Sequence, residues 1–294
     1  MPDYHDEVTR HRKPDWLKIK LHRSEEFGEV ARIVREHGLH TICSSGRCPN
    51  QAECWSRRTA TFMILGDICT RSCKFCATAT GKPLPPDPDE PRKLARSISL
   101  MGLKHCVVTS VDRDDLPDGG AALWAESVRA VRELNPDTTI ELLIPDFDAR
   151  EELIDLVADA RPDILGHNIE TVRRLTPQER SRARYEVSLR TLAHIARRGL
   201  TAKSGLMVGL GETDSEVLEA VDDLVGAGVQ ILTIGQYLRP SLRHLPVAEY
   251  VTPEKFAWYK EQALARGLRY VESGPMVRSS YMAEKAMRSC RTPK

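Results

Sequence analysis

The chain has 294 residues, 41% of them hydrophobic, and a net charge of +1 from 43 basic and 42 acidic side chains. Charge so evenly balanced argues against a nucleic-acid-binding or membrane-surface protein, and no run of eighteen apolar residues offers a transmembrane helix. The first residues carry no apolar signal-peptide core, so reducing cytoplasm is the expected compartment, where clustered cysteines serve as metal ligands or redox groups rather than disulfides.

Residues 1–23 are polar and basic. Within 10–23, six Arg or Lys stand against one Asp, with Trp16, Leu17, Ile19 and Leu21 between them. An extended arm packing its apolar residues on the body is expected there. Residues 24–38 read as a helix, with Ser24 as N-cap and Gly38 as stop. Three cysteines follow in a loop: Cys43, Cys48 and Cys54. A strand is expected over 59–67, with Cys69, Cys73 and Cys76 just past its end. Further strands are expected over 105–111, 138–144, 163–170, 202–209 and 229–237. Amphipathic helices fall between them, over 89–101, 119–134, 148–160, 185–199 and 213–227. Gly102, Gly199 and Gly228 sit where those helices should stop. The proline-rich stretch 82–91 reads as a connecting loop, and a helix near 253–267 with an irregular tail ends the chain.

Six strands alternating with helices predict parallel βα units. Six are too few to close an eight-stranded barrel and fit an open, partial one. Chemistry in βα barrels sits at the C-terminal ends of strands. Cys69, Ser110, Asp112, Asn168, Glu170, Gly211, Glu212, Gln236 and Arg239 fall there.

Cys69-x3-Cys73-x2-Cys76 puts three thiols on one short loop. Structural zinc takes four ligands, usually as paired knuckles, so zinc here requires a distant fourth residue. Three thiolates alone suit an iron–sulfur cubane with one iron left open. The spacing resembles the radical S-adenosylmethionine (SAM) superfamily. That resemblance implies a [4Fe-4S] cluster whose open iron chelates SAM, cleavage of SAM by one electron, and an aromatic residue, here Phe75, beside the adenine.

The second group, Cys43-x4-Cys48-x5-Cys54 with "CPN" at its centre, resembles the auxiliary-cluster motif of the lipoyl synthase family. "RSSY" at 278–281 is similar to that family's other signature, in which a serine completes the ligand set. Ser280 is the favoured ligand, with Ser279 the alternative. The segments "SVDRDDLPDGGA" (110–121), "HNIETV" (167–172), "KSGLMVGLGET" (203–213) and "GQYLRPS" (235–241) also read like the family, so the resemblance covers nearly the whole chain. "SSGR" follows Cys43 where the family often has acidic residues; this alters local charge and leaves the ligands in place.

The resemblance implies an α/β, partial (βα)6 TIM-type barrel with an N-terminal cluster-bearing extension and a C-terminal closing segment. The corresponding segments are 1–58, 59–245 and 246–294. It implies sulfur insertion at C6 and C8 of an octanoyl group on a lysine of a lipoyl-domain or H-type carrier protein. One cluster cleaves SAM, the other is the sulfur source, and a flavodoxin- or ferredoxin-type donor supplies electrons. No nucleic acid or membrane partner is expected.

Other residues carry two readings each. Gly119 and Gly120, after Asp118, are placed either to offer amides to SAM or to start a helix. Asn168 and Glu170 share a strand face, for SAM contacts or for structural hydrogen bonds. Lys203, Ser204 and Arg184 are candidates for the SAM carboxylate or the cluster surroundings. "GLGE" (209–212) lacks the third glycine of a dinucleotide loop and reads as a turn that lets SAM approach the backbone. His167 reads as a satisfied barrel histidine and Cys106 as core.

Overall fold

A parallel sheet organises the computed structural model, which describes residues 13–18 and 24–291. Much of the basic arm expected over 10–23 lies outside the described residues. Of it, Asp15–Leu17 form one 3-10 turn that buries Leu17.

The strands are β1 (His40–Thr41), β2 (Thr61–Ile64), β3 (Ile68–Cys69), β4 (Ala79–Thr80), β5 (His105–Ser110), β6 (Thr139–Leu143), β7 (Ile164–Gly166), β8 (Thr201–Val208), β9 (Ile231–Gln236) and β10 (Tyr270–Gly274). The main sheet runs β1-β2-β5-β6-β7-β8-β9-β10. Every neighbouring pair in it is parallel except β1 with β2. Helices α1 (Glu25–Glu36), α2 (Ile42–Ser45) and α3 (Gln51–Ser56) precede β2. Helices α4 (Glu90–Met101), α5 (Ala121–Leu134), α6 (Glu151–Ala158), α7 (Thr176–Glu179), α8 (Tyr185–Arg197), α9 (Asp214–Gly226) and α10 (Pro253–Ala265) follow in alternation with the strands, and α11 (Ala283–Arg291) comes last.

The five amphipathic segments read from periodicity all form helices, because each has an apolar stripe to bury. In α4 that stripe is Leu94, Ile98 and Met101. Gly102 ends α4 at φ +62, a left-handed conformation that glycine adopts without strain. Thr213 and Glu216 close a reciprocal capping box at the start of α9.

Two expectations need correction. The tail is not irregular: β10 adds a seventh parallel strand, in register from Tyr270↔Ile231 to Gly274↔Gly235. Only Val271 in it is buried, so no alternating pattern marks it in the sequence. The strand expected over 163–170 stops at Gly166. Beyond it the chain turns, with Glu170 at φ +69 and a single bridge to Leu206.

Strand alternation sorts the barrel residues. Val107, Thr109, Glu141, Leu143, Lys203 and Gly205 line interior space. Cys106, Val108, Ile140 and Ala202, one step out of phase, belong to the apolar layer under the helices. Among the described residues no helix is long and apolar enough to cross a membrane.

Candidate active site

The loop from Cys69 to Cys76 leaves the barrel at the C-terminal end of β2 and is closed by the short β3–β4 pairing, which the sequence did not announce. Gly81 N–H donates to Cys69 O at 3.0 Å across its base. Its anchor is Arg71, only 6% exposed. The guanidinium donates to both carboxylate oxygens of Asp114 and both of Asp146, each contact 2.9 Å. Asp112 adds a longer contact at 3.4 Å. One side chain thus ties the loop to the ends of β5 and β6. On the other flank, His244 Nε2 meets Cys76 O at 3.0 Å, and Lys74 O accepts from Leu245 N–H at 3.3 Å.

The thiols are free, with no disulfide among the described cysteines. Cys69 Sγ accepts backbone N–H from Arg71 at 3.4 Å and from Asp112 at 3.3 Å. Amides aimed at sulfur are a recurrent way of supporting a cluster thiolate. In the metal-free chain, burial first and then the Asp112 carboxylate push the Cys69 thiol up to about 12. Burial likewise lifts Cys73 to about 11, against the pull of Arg180. These neutral thiols release protons on ligation, so metal uptake favours higher pH.

The upstream group is built by two short helices. Cys43 lies in α2, which Thr41 caps by accepting Ser44 N–H at 3.3 Å. Cys54 lies in α3, and Cys48 in the turn between them. The three thiols line one cavity of about 390 Å³ rather than converging on a point, and among the described residues no His, Cys, Asp or Glu group is close enough to hold a single ion. A four-iron cluster, wider than one ion, fits such a donor set. Ser280 lines the same cavity, where its Oγ accepts from Thr61 Oγ1 at 2.7 Å. Ser279 faces elsewhere and accepts from Asn168 Nδ2 at 2.7 Å. The C-terminal segment is held over the cysteines by Asn50 Nδ2 to Met276 O at 2.6 Å, Arg57 to Glu284 at 2.9 Å and Tyr281 Oη to Glu53 at 3.3 Å.

A second cavity, about 350 Å³, opens beside Phe75 and Cys76 and is backed by Glu170, Gly205 and Gly235. A third, about 270 Å³, lies inside the barrel. It shares Cys43, Cys48 and Ser280 with the first cavity and Glu170 and Ser279 with the second.

Asn168 and Glu170 face this space together, Asn168 Nδ2 donating to Glu170 Oε1 at 3.1 Å. Gly205 makes room for them: a Cβ there would stand 2.7 Å from Asn168 Oδ1. Lys203 lies in the interior cavity, not beside Phe75, and is already paired with Glu141 at 2.5 Å.

Other candidates are not brought to the site. Ser204 is out of phase with Lys203 on β8, and its hydroxyl accepts Ile169 N–H on the far face at 3.1 Å. Arg184 is exposed and precedes α8. Gly119 and Gly120 start a helix: their amides donate to Leu116 O at 3.1 Å and Asp118 Oδ1 at 3.0 Å. In "GLGE", Glu212 accepts the amides of Gly209 and Leu210, and a Cβ on Gly209 would meet Gln236 Nε2 at 2.1 Å. Gly209 thus permits close packing of Gln236 against the turn. His167 is satisfied, with Nδ1 at 2.9 Å from Ile144 O and Nε2 at 2.9 Å from Ser188 Oγ. Cys106 is fully buried. Arg71, Asp114 and Asp146 escape a reading of the sequence. Their signal was an arginine inside a cysteine loop and an acidic run after a strand, with nothing to join them.

The model of the radical SAM superfamily matches residues 63–224, more than half of the chain. A lipoyl synthase of Parabacteroides distasonis is 62% identical over 274 residues, covering 93% of this chain and 98% of that protein. The chain belongs to the lipoyl synthase family. Another member, from Bacteroides thetaiotaomicron, is 62% identical over 281 residues, covering 96% of this chain and all of the relative. In fold, the chain is similar to Streptococcus suis SuiB bound to S-adenosylmethionine (TM-score 0.56, 11% identity, 76% of this chain and 54% of that one). It is also similar to methylornithine synthase (TM-score 0.50, 11% identity, 84% and 81%). In this lipoyl synthase family member the interior cavity shares lining with the cavity of Cys43, Cys48 and Cys54 and with the cavity beside Phe75 and Cys76.

Proposed function

We propose that this chain inserts sulfur at C6 and C8 of an octanoyl group carried on a lysine of a lipoyl-domain or H-type protein. The observation that carries the reading is the interior cavity. Its wall has an apolar part, Ile42, Val107, Leu142 and Leu143, beside the Lys203–Glu141 pair, and it takes in Cys43, Cys48 and Ser280 as well as Glu170 and Ser279. An eight-carbon chain suits such walls, and C6 and C8 would lie between a radical source and a sulfur source.

In this reading Cys69, Cys73 and Cys76 hold the [4Fe-4S] cluster that binds SAM, and Cys43, Cys48, Cys54 and Ser280 hold a second [4Fe-4S] cluster. When bound, these groups supply reductive cleavage of SAM, hydrogen abstraction and the sulfur to be transferred. The protein's part is placement. Arg71 fixes the first loop against the barrel, Phe75 offers a ring face for the adenine, and Asn168 and Glu170 offer polar contacts to the rest of SAM. The apolar walls exclude water from a reactive carbon centre. Within the N-terminal segment (1–58) and the C-terminal segment (246–294), residues 43–57 and 276–284 enclose the second ligand set, and 59–245 form most of the barrel. A flavodoxin- or ferredoxin-type donor and the cytoplasm complete the proposal.

Anaerobic turnover with an octanoyl-lysine peptide, SAM and reductant, read by mass spectrometry, tests it. A product that gains two sulfur atoms is expected. Formation of 5′-deoxyadenosine with no sulfur gain in any octanoyl substrate would overturn it.

A further inference from the structure

Among the described residues, one cation beside the upstream cysteines has no carboxylate partner. Arg278 is held between all three cavities and contributes to the wall of each. Its Nη1–H donates to the carbonyl of its own neighbour, Val277, at 2.6 Å. Among the described residues no carboxylate pairs with it, and the ionisable group that acts on it is the Cys48 thiol. The buried cations differ: Arg71 has Asp114 and Asp146, Arg113 has Asp115, and Lys203 has Glu141. A poorly solvated charge with no partner is strongly unfavourable, so a fold retains one where something else supplies the anion.

The position is also fixed by the backbone. Val277 O lies where a Cβ on Gly235 would be, at 2.2 Å, so the missing side chain on β9 lets this segment cross the barrel. Two residues on, Ser280 reaches the cavity of Cys43, Cys48 and Cys54.

We propose that Arg278 is the counter-ion of the upstream ligand set, balancing the negative charge that Cys43, Cys48, Cys54 and Ser280 acquire together when they bind iron. The proposal rests on reading those residues as iron ligands. Three thiolates and an alkoxide outweigh the charge of a [4Fe-4S] core; Arg278 acts on Cys48 with no carboxylate of its own, whereas Arg57, which acts on Cys54, is already shared with Glu53 and Glu284. Arg278 is therefore a positioning residue: it stabilises the loaded ligand set and destabilises the empty one.

The two signs make the test. In a chain carrying Cys69→Ala, Cys73→Ala and Cys76→Ala, only the upstream group binds iron. Arg278→Met and Arg278→Lys are compared in that background. With Arg278→Met, release of iron to a chelator should quicken by about 10- to 100-fold, the range for lost support around a metal site. The midpoint potential should fall, because the reduced cluster loses its neighbouring cation. The iron-free Arg278→Met chain should melt higher than its parent, since an uncompensated cation is gone. Arg278→Lys should keep the potential near that of the parent. Unchanged release and potential in Arg278→Met, or a lower melting point of the iron-free chain, would mean a structural arginine and overturn the proposal. So would a loss of SAM affinity in the otherwise unaltered Arg278→Met chain with the upstream iron undisturbed. If the background chain with Arg278 intact binds no iron, the ligand reading itself fails and the inference falls with it.

Discussion

Arg71 and Asp146 form a two-point ion pair, with both nitrogen–oxygen contacts at 2.9 Å. The pair joins the middle of the Cys69–Cys76 loop to the residue just past β6, 75 positions away. Both side chains are enclosed, and burial alone would lift the Asp146 carboxyl. The Arg71 hydrogen bonds and the neighbouring positive charge overcome it and hold the group at about 2.

Removing one member therefore strands the other. Arg71→Met should cost about 3–5 kcal/mol, the range for breaking a buried pair from one side. Urea unfolding of the cluster-free chain measures it. Arg71→Lys keeps the charge but loses the planar fork, and should recover only part of the loss. If Arg71→Met unfolds at the parental midpoint, the network does not hold the loop.

The two cysteine groups should separate by function. Changing Cys69, Cys73 and Cys76 to Ala should halve the iron content from about eight per chain, two cubanes' worth, and abolish SAM cleavage. Changing Cys43, Cys48 and Cys54 should also halve the iron but leave SAM cleavage, while sulfur insertion disappears. Thiolated product from the second triple variant would rule out the upstream group as the sulfur source.

Ser279 and Ser280 are bound to different partners, Asn168 and Thr61. Ser280→Ala should loosen one iron of the upstream cluster, visible by Mössbauer spectroscopy. Ser280→Cys should hold the cluster and impair product formation, because thiolate suits iron better than a serine oxygen and is displaced less readily. Ser279→Ala should leave the iron spectrum alone and disturb the Asn168–Glu170 pair, raising the SAM concentration needed for half-maximal cleavage. The reverse assignment of effects would move the ligand to Ser279.

Acid should act first through His167. Burial, reinforced by repulsion from Arg180, lowers its pKa from 6.5 to about 4. A base with a folded pKa below its unfolded one stabilises nothing extra above pH 6.5 and penalises the fold as pH drops toward 4, because the unfolded chain takes up the proton first. The His167 contribution should fall by about 3 kcal/mol across that window, while Glu179, whose carboxyl burial lifts to about 7, acts in the opposite direction. Denaturation midpoints measured from pH 7 to 4 test this: acidification should lower the midpoint more in the parent than in His167→Gln. An equally steep slope in that variant would place the proton elsewhere.

The sequence by itself determined what is local. The spacing of Cys69, Cys73 and Cys76 is a property of eight consecutive residues, and so are the apolar periods that became α4 and β5. Stop signals such as Gly102 act within one turn of helix. Strand β10 stayed hidden because pairing with β9, not its own alternation, makes it a strand. Adjacent candidates part for a related reason: Lys203 and Ser204 are neighbours in sequence, but a strand sends them to opposite faces. Only the tertiary structure decided which charges meet. Arg71 finds Asp146 because β2, β5 and β6 lie side by side, and Ser280 finds Cys43, Cys48 and Cys54 because residues 276–284 fold back over residues 50–57. Among the described residues, Arg278 is left without a carboxylate partner by the same packing. A partner's absence is a property of the whole neighbourhood, and short-range spacing carries no record of it.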